Sequence, residues 1–142
     1  MIVNYAEARA IIAGALEHGR SRDAQPLAVA VLDAGGHLVA SGREDGASPF
    51  RHDIARAKAS GAIGMGMDSR VLAERAKGNP GFFQSVAVTV SGAMAFSPGG
   101  VLVRSGATII GAVGISGDTG DCDEACAFAG IGAAGLDREN VA

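Results

Sequence analysis

Two adjacent carboxylates, Asp123 and Glu124, have the type and position that acid–base chemistry requires. They follow Thr119 in the first turns of a predicted helix, where either one could act as a general base or orient a ligand. Negative charge is also stabilised at the positive end of a helix dipole, so both residues equally suit an ordinary helix N-terminus. The sequence leaves both interpretations open.

A glycine turn supplies a second group of candidates. The segment Pro98-Gly99-Gly100 precedes a predicted strand that begins at Val101 and carries Arg104. Free backbone N–H groups in such a turn can hold a carboxylate or an oxyanion, and Arg104 adds a fork-shaped donor. A sharp strand entry that requires positive φ is the alternative explanation.

Lys58 is the most specific basic candidate, because it lies among alanine, serine and glycine on a predicted helix. A lysine in such surroundings is either an edge charge or the buried partner of an anion. We therefore predict a ligand-binding group that consists of Lys58, Gly99, Gly100, Val101 and Arg104.

Side chains that bind metals are few. The histidines His18, His37 and His52 are far apart in sequence, and His18, on the flank of the first predicted helix, is the best placed for an axial bond to iron. Plain surface exposure is its alternative. Cys122 and Cys126 share a helix face, but two ligands fall short of the four in a structural zinc site, so small reduced core residues are the preferred interpretation.

Composition excludes several classes of function. The net charge of −3, from 12 basic and 15 acidic residues, provides no basic stripe for nucleic acid. No apolar run is long enough to span a membrane, and no signal peptide is recognisable, so we expect a cytoplasmic protein. The Walker, Rossmann and Gly-x-Ser-x-Gly motifs do not occur, so ATP, NAD and acyl-serine chemistry are unsupported.

The elements that must position these residues follow from hydrophobic periodicity and turn signals. A capping box at Asn4–Glu7 begins the first helix. Two strand hairpins flank a helical insertion, which predicts a mainly antiparallel sheet rather than a doubly wound parallel one. The predicted elements are a helix over 5–20, strands at 27–32 and 38–41, helices over 50–67 and 68–77, a strand at 86–90, a hairpin of 101–104 with 107–115, and a helix over 122–136. We expect one domain, 1–142, of the α/β (α+β) class with five strands and helices packed on the sheet.

Six ordered blocks of the sequence carry a family pattern: Val29–Val39, Asp45–Ala47, Ile54–Ala59, Pro98–Val101, Gly111–Gly117 and Asp123–Cys126. Together they resemble the GlcG/HbpS-like heme-binding family, which also supplies the C-terminal domain of PduO-type corrinoid adenosyltransferases. The resemblance implies a central antiparallel sheet, a homo-oligomer between a dimer and an octamer, and binding of heme or a related tetrapyrrole. Members of the family also occur with genes for organic acid catabolism. Leu102 departs from the pattern, since the family often has proline there.

Three functions remain open on these grounds. The first is a heme- or tetrapyrrole-binding accessory protein, with His18 or another heteroatom donor as the axial ligand and Lys58 or Arg104 paired with the propionates. The second is a cofactor-independent enzyme or carrier for a small organic acid, in which Glu124 or Asp123 moves a proton. The third is a structural subunit of an oligomer, whose glycine-rich helices serve as contact faces.

Overall fold

Five helices and four strands occur in residues 2–141, the part of the chain that this computed structural model describes. The elements are α1 (Tyr5–Ser21), β1 (Ala28–Asp33), β2 (Leu38–Arg43), α2 (Phe50–Met65), α3 (Ser69–Gly78), α4 (Pro80–Thr89), β3 (Gly100–Ser105), β4 (Thr108–Ser116) and α5 (Gly120–Ala133). The α+β class is confirmed. The predicted capping box is also confirmed, since Glu7 N–H donates to Asn4 Oδ1 at 2.8 Å and Asn4 N–H donates to Glu7 Oε1 at 2.9 Å.

The four strands form one antiparallel sheet in the order β2-β1-β4-β3. Each predicted hairpin is present, and the pairing of β1 with β4 joins the two hairpins, with Val31 opposite Val113. The prediction of five strands is wrong. The sheet has four strands in the described chain, because the segment expected to supply the fifth is helical.

That segment, predicted as a strand over 86–90, lies mostly in α4. Pro80 occupies the first turn of α4, where its fixed φ and missing N–H are tolerated. Phe83 is buried and its ring packs edge-on against Phe96, while Val88 remains 77% exposed. The valines of this segment favoured a strand in the sequence, but in the structure Pro80 begins a helix that buries Phe83.

The sheet separates two cores. Helices α1 and α5 pack together against one face, which carries Val29, Val31, Val101, Val113 and Ile115. Helix α2 covers the other face, over alanines and leucines that alternate with them along the strands. It lies very close to the sheet at Gly114, where an added Cβ would be 1.8 Å from the carbonyl oxygen of Ala55. None of the helices within residues 2–141 has the length and apolar character that a membrane span requires.

Candidate functional site

The Lys58 ammonium and the Asp123 carboxylate form a buried ion pair beside the end of β4. Lys58 Nζ lies 3.0 Å from Asp123 Oδ2, and it also donates to the carbonyl oxygen of Ile115 at 2.8 Å. The two side chains are only 3% and 2% exposed. The second carboxylate oxygen of Asp123 accepts a hydrogen bond from Asp118 N–H at 3.1 Å. The pair therefore joins α2 to the start of α5 near the C-terminal end of β4.

Burial and ion pairing shift the pKa values of these two groups in opposite directions. Burial raises the pKa of the Asp123 carboxyl, and the nearby Lys58 ammonium offsets part of that rise. Burial likewise lowers the pKa of the Lys58 ammonium, and Asp123 opposes this. Removal of one partner from such a pair leaves an uncompensated buried charge. Each residue is thus the other's charged partner within the fold.

The glycine turn closes over this ion pair. Gly99 has φ of 129°, and a Cβ there would lie 2.8 Å from Ile115 O and 3.0 Å from Lys58 Nζ. Gly100 N–H donates to Ser69 Oγ at 2.7 Å, and a Cβ on Gly100 would lie 2.3 Å from Lys58 O. Val101, the next residue, is fully buried in β3. The Gly100 amide is therefore used inside the protein, and the backbones are too close together there for any larger residue.

Glu124 and Arg104 each make contacts outside this cluster and have different partners. The single Nε–H of Arg70 is shared between the two carboxylate oxygens of Glu124, each 3.0 Å from Nε, and Arg70 also pairs with Asp121. Arg104 Nη1 donates to the carbonyl oxygen of Arg138 at 2.8 Å. Arg70 was not among the residues predicted from the sequence, because no local pattern connects it to α5. The structure thus brings Lys58, Asp123 and the two glycines together, and places Glu124 and Arg104 outside that cluster.

Asp68, the residue directly before α3, carries a further partly buried carboxylate. Its Oδ1 accepts a hydrogen bond from Leu102 N–H at 2.9 Å, just before α3 begins. Burial raises the pKa of the Asp68 carboxyl, although the Leu102 N–H and the charge of Arg104 oppose this. The carboxylate therefore contributes a backbone contact to β3 at the cost of partial desolvation.

His18 lies on α1, on the face of the sheet opposite α2. Its Nε2 is 3.2 Å from Arg22 Nη1, so a guanidinium occupies the position next to the ring nitrogen. Cys126 is buried, and burial raises the pKa of its thiol to about 12. Within residues 2–141, no three histidine, cysteine or acidic side chains are grouped closely enough to hold a metal ion.

A mainly apolar depression lies between α2 and the chain that follows α4. Three adjoining cavities, of about 410, 220 and 110 Å³, share lining residues along this line. We call them together the α2 groove, defined by Ile54, Ala57, Gly61 and Met65 on α2 and by Gly92 and Met94 on the opposite wall. A further cavity of about 450 Å³, lined by Arg20, Arg43, Glu44 and Asp45, is highly charged.

Small residues on one stripe of α2 create the groove. Ala57, Gly61 and Gly64 recur at intervals of four and three residues, which places them on the same helix face. A Cβ on Gly61 would lie 3.3 Å from Met94 Cγ, whereas one on Gly64 would meet nothing within 4 Å. Opposite them, Ser91 and Gly92 both have positive φ and turn the chain at the end of α4. This groove was not predicted from the sequence, where the spacing of small residues on α2 was the available signal.

Comparison with known proteins identifies a family and a fold. The family model described as haem degrading protein HbpS-like matches residues 3–132. Similar solved structures include a PduOC:heme complex (TM-score 0.88, 21% identity, 99% of this chain and 100% of that one) and HbpS (0.81, 26%, 93% and 89%). Protein ORFY of Klebsiella pneumoniae is also similar (0.85, 23%, 94% and 90%). Among curated proteins, no match to the chain was found.

Proposed function

The chain belongs to the HbpS-like family, and from that membership we propose that it is a heme- or tetrapyrrole-binding accessory protein whose α2 groove holds the macrocycle. The family description names haem degradation, and one of the similar structures is a heme complex. These findings support the class of ligand. The location on this chain has to come from its own residues.

The observation that carries the proposal is the fit of the α2 groove to a flat apolar ligand. Sites for such ligands are concave and mostly apolar, with volumes of about 300–1,000 Å³ and a few polar groups at the rim. The larger end of the groove, at about 410 Å³, is lined mainly by apolar residues and includes one carboxylate: Phe50, Asp53, Ile54, Ala57, Gly92, Met94 and Ala95. Arg56 lines the adjoining cavity and could pair with a propionate there. The small residues of α2 leave open the space that a ring needs.

The donor atoms of the groove also suit a heme. Thioether sulfur is among the axial ligands that proteins offer to heme iron, and both Met65 and Met94 line the groove. Bound heme would supply an iron centre for redox or ligand chemistry, while these residues bind it and orient it.

The residues predicted from sequence fit this ligand less well. His18 has Arg22 beside its ring nitrogen and lies on the other face of the sheet. Lys58 is already paired with Asp123, and the Gly100 N–H with Ser69. The same contacts leave the hypothesis of a small organic acid substrate without a cluster of available donors.

Assembly and location form a further part of the proposal. Large apolar side chains are exposed on α2 and α4, including Phe50 at 76% and Val88 at 77%. Such side chains are typical of contact surfaces and support a homo-oligomer. Two free cysteines support the expected cytoplasmic location, because a reducing compartment keeps them unpaired. Sedimentation of wild-type protein beside Val88→Lys would test the assembly, and a monomer in both would contradict it.

Hemin titration with groove variants tests the proposed function. We expect wild-type protein to bind hemin with a stoichiometric, saturable Soret band. Ala57→Glu places a charge in the groove and should weaken binding at least tenfold, a loss of about 1.4 kcal/mol. The matched control Ala13→Glu introduces the same charge at an exposed position of α1 and should bind as wild type does.

Two outcomes would contradict this proposal. Unsaturable binding by the wild-type protein would remove heme as its ligand. Loss of binding in His18→Ala, with binding kept in Ala57→Glu, would move the heme to the α1 face of the sheet.

A further inference from the structure

We propose that Cys122 and Cys126 of α5 form a two-coordinate site for a soft monovalent metal ion, Cu(I). This inference goes beyond the proposed function, because the two cysteines lie on the face of the sheet opposite the α2 groove and their chemistry does not involve heme. Three observations support it: the relative position of the thiols, the number of ligands, and the charges beside them.

The two thiols lie on adjacent turns of one face of α5. Residues four positions apart on a helix have Cβ atoms about 5–6 Å apart, so their sulfurs can reach a single ion between them. Cys126 is fully buried and Cys122 half-buried, and both pack against the core that α1, α5 and the sheet enclose. Each thiol also shifts the pKa of the other through a side-chain contact. The two side chains therefore converge.

The surroundings of the buried sulfur are apolar on the side of α1. A Cβ on Gly19 would lie 3.6 Å from Cys126 Sγ and 2.7 Å from Leu27 Cδ1, so these residues pack closely here. Neither glycine nor leucine has a side-chain hydrogen-bonding group that could compete for the thiol. An apolar shell of this kind limits the access of water to a bound ion, which favours retention of the reduced metal.

The number of ligands decides which ion fits. Structural zinc requires four ligands in a tetrahedron, whereas soft thiolates favour Cu(I), which two sulfurs can bind from opposite sides. Among residues 2–141, no third histidine, cysteine or acidic side chain is grouped with the thiols closely enough to complete a larger set. The pair therefore suits Cu(I) and does not suit zinc.

Binding exchanges protons for the metal. Burial raises the pKa of both thiols, that of Cys126 to about 12, so both are protonated at neutral pH. One Cu(I) ion displaces two protons and forms two S–Cu bonds, and no atom changes its oxidation state. The bound site consequently carries one more negative charge than the free dithiol.

Two features offset this negative charge. The guanidinium of Arg22 lies near enough to favour the ionised form of both thiols. Cys122 is also in the first turn of α5, where its N–H donates to Thr119 Oγ1 at 3.2 Å and the helix dipole favours an anion. Both contributions act on the sulfur that is nearer to solvent.

Asp118 marks the route by which an ion can enter. Its carboxylate interacts with the Cys122 thiol, and it is held in place by the N–H groups of Gln25 and Thr119, each 2.7 Å away. A carboxylate at the half-exposed end of the pair attracts a cation from solution. The same charge disfavours the anionic product, which is why the nearby Arg22 matters.

Anaerobic titration of heme-free protein with Cu(I), in competition with bathocuproine disulfonate, tests the site. We expect one equivalent to bind, two protons to be released in weakly buffered solution, and X-ray absorption to show two sulfur neighbours. Cys122→Ala and Cys126→Ala should each lower the affinity by more than about 100-fold, because losing a ligand costs more than losing an outer-shell partner. His18→Ala is the matched control: His18 is the histidine beside Arg22, and this variant should bind as wild type does.

The half-buried position of Cys122 keeps this test independent of folding. Cys122→Ala leaves the buried Cys126 in the core, and circular dichroism checks that each variant is folded. Unchanged Cu(I) affinity in folded Cys122→Ala would overturn the inference. An equal loss in His18→Ala, or stoichiometric binding of Zn(II) with similar affinity, would overturn the two-sulfur site. A protein that fails to bind hemin would contradict the proposed function and leave this inference standing.

Discussion

The two sides of α2 are built on opposite principles. Toward the end of the sheet, Lys58 is paired with Asp123 under a glycine turn, and both the Lys58 ammonium and the Gly100 N–H donate to groups within the protein. One residue earlier in sequence, Ala57 faces the α2 groove, where small apolar residues leave an open depression. The first side holds the secondary structure elements together. The second has the shape of a ligand site.

This difference shows that a residue whose type suggests a function in the sequence need not be free to contact a ligand in the fold. A buried charge must find a partner within the fold, because an unpaired one is too costly to keep. Alanine, glycine and methionine carry no such requirement, so they can line a surface that stays free for another molecule. On α2, the residue with the strongest functional signal in the sequence is therefore the one engaged in structure.

The largest expected effect comes from breaking the ion pair. Lys58→Met should lower the free energy of unfolding by about 3–5 kcal/mol, because the Asp123 carboxylate stays buried without its partner. Replacing both residues, as Lys58→Met with Asp123→Leu, should recover most of the loss. Urea denaturation of the two variants provides the measurement. A single variant as stable as wild type would show that the pair does not hold this side together.

Gly100→Ala is expected to have the next largest effect. Its Cβ would lie 2.3 Å from Lys58 O, so we expect a destabilisation of about 1–3 kcal/mol as the backbone shifts. The matched control is Gly64→Ala on the open side, where nothing lies within 4 Å and helix propensity predicts a gain of about 0.5–1 kcal/mol. Thermal unfolding of both variants compares the two sides directly. Equal changes in the free energy of unfolding for the two variants would contradict the difference in packing between the two sides of α2.

Filling the groove should affect binding more than stability. Gly64→Leu adds a side chain where there is open space, so we expect little change in stability and about a tenfold weaker affinity for hemin. The affinity is measured by visible absorbance and the stability by denaturation of the same preparation. Unchanged affinity would show that the smallest cavity is not part of the heme site.

The smallest expected effect is a change in pH dependence at Asp68. Burial raises the pKa of this carboxyl above its unfolded value, so its contribution to stability is complete below about pH 3.9 and is lost as the pH rises through the folded pKa. Asp68→Asn cannot ionise, and it should gain stability relative to wild type between about pH 4 and neutrality. Urea denaturation at pH 3.5 and pH 7 measures this. A difference that does not vary with pH would contradict it.

Much of the fold was predictable because its signals are local. The capping box at Asn4 and Glu7 and the two hairpins each lie within a few residues of sequence, and all are confirmed. The strand predicted over 86–90 failed because valine propensity carries little information about whether a neighbouring strand exists.

The candidate site was less accessible to prediction. Lys58 and Asp123 were both selected, but their contact joins residues 65 positions apart, and no local pattern reports such a pairing. The groove consists of residues that carry no distinctive chemistry, from two segments that only the tertiary structure brings together. Small residues at helical spacing on α2 were its one trace in the sequence.

The pairing of β1 with β4 affects how the chain folds while it is being translated. The N-terminal hairpin can form early, but the other edge of β1 stays unpaired until β4 has been made, roughly 75 residues later. At typical elongation rates that interval lasts about 4–15 s. Throughout it, an apolar strand edge is open to misassembly with neighbouring nascent chains, so the protein's yield in a cell should depend on translation speed and on chaperones that shield that edge.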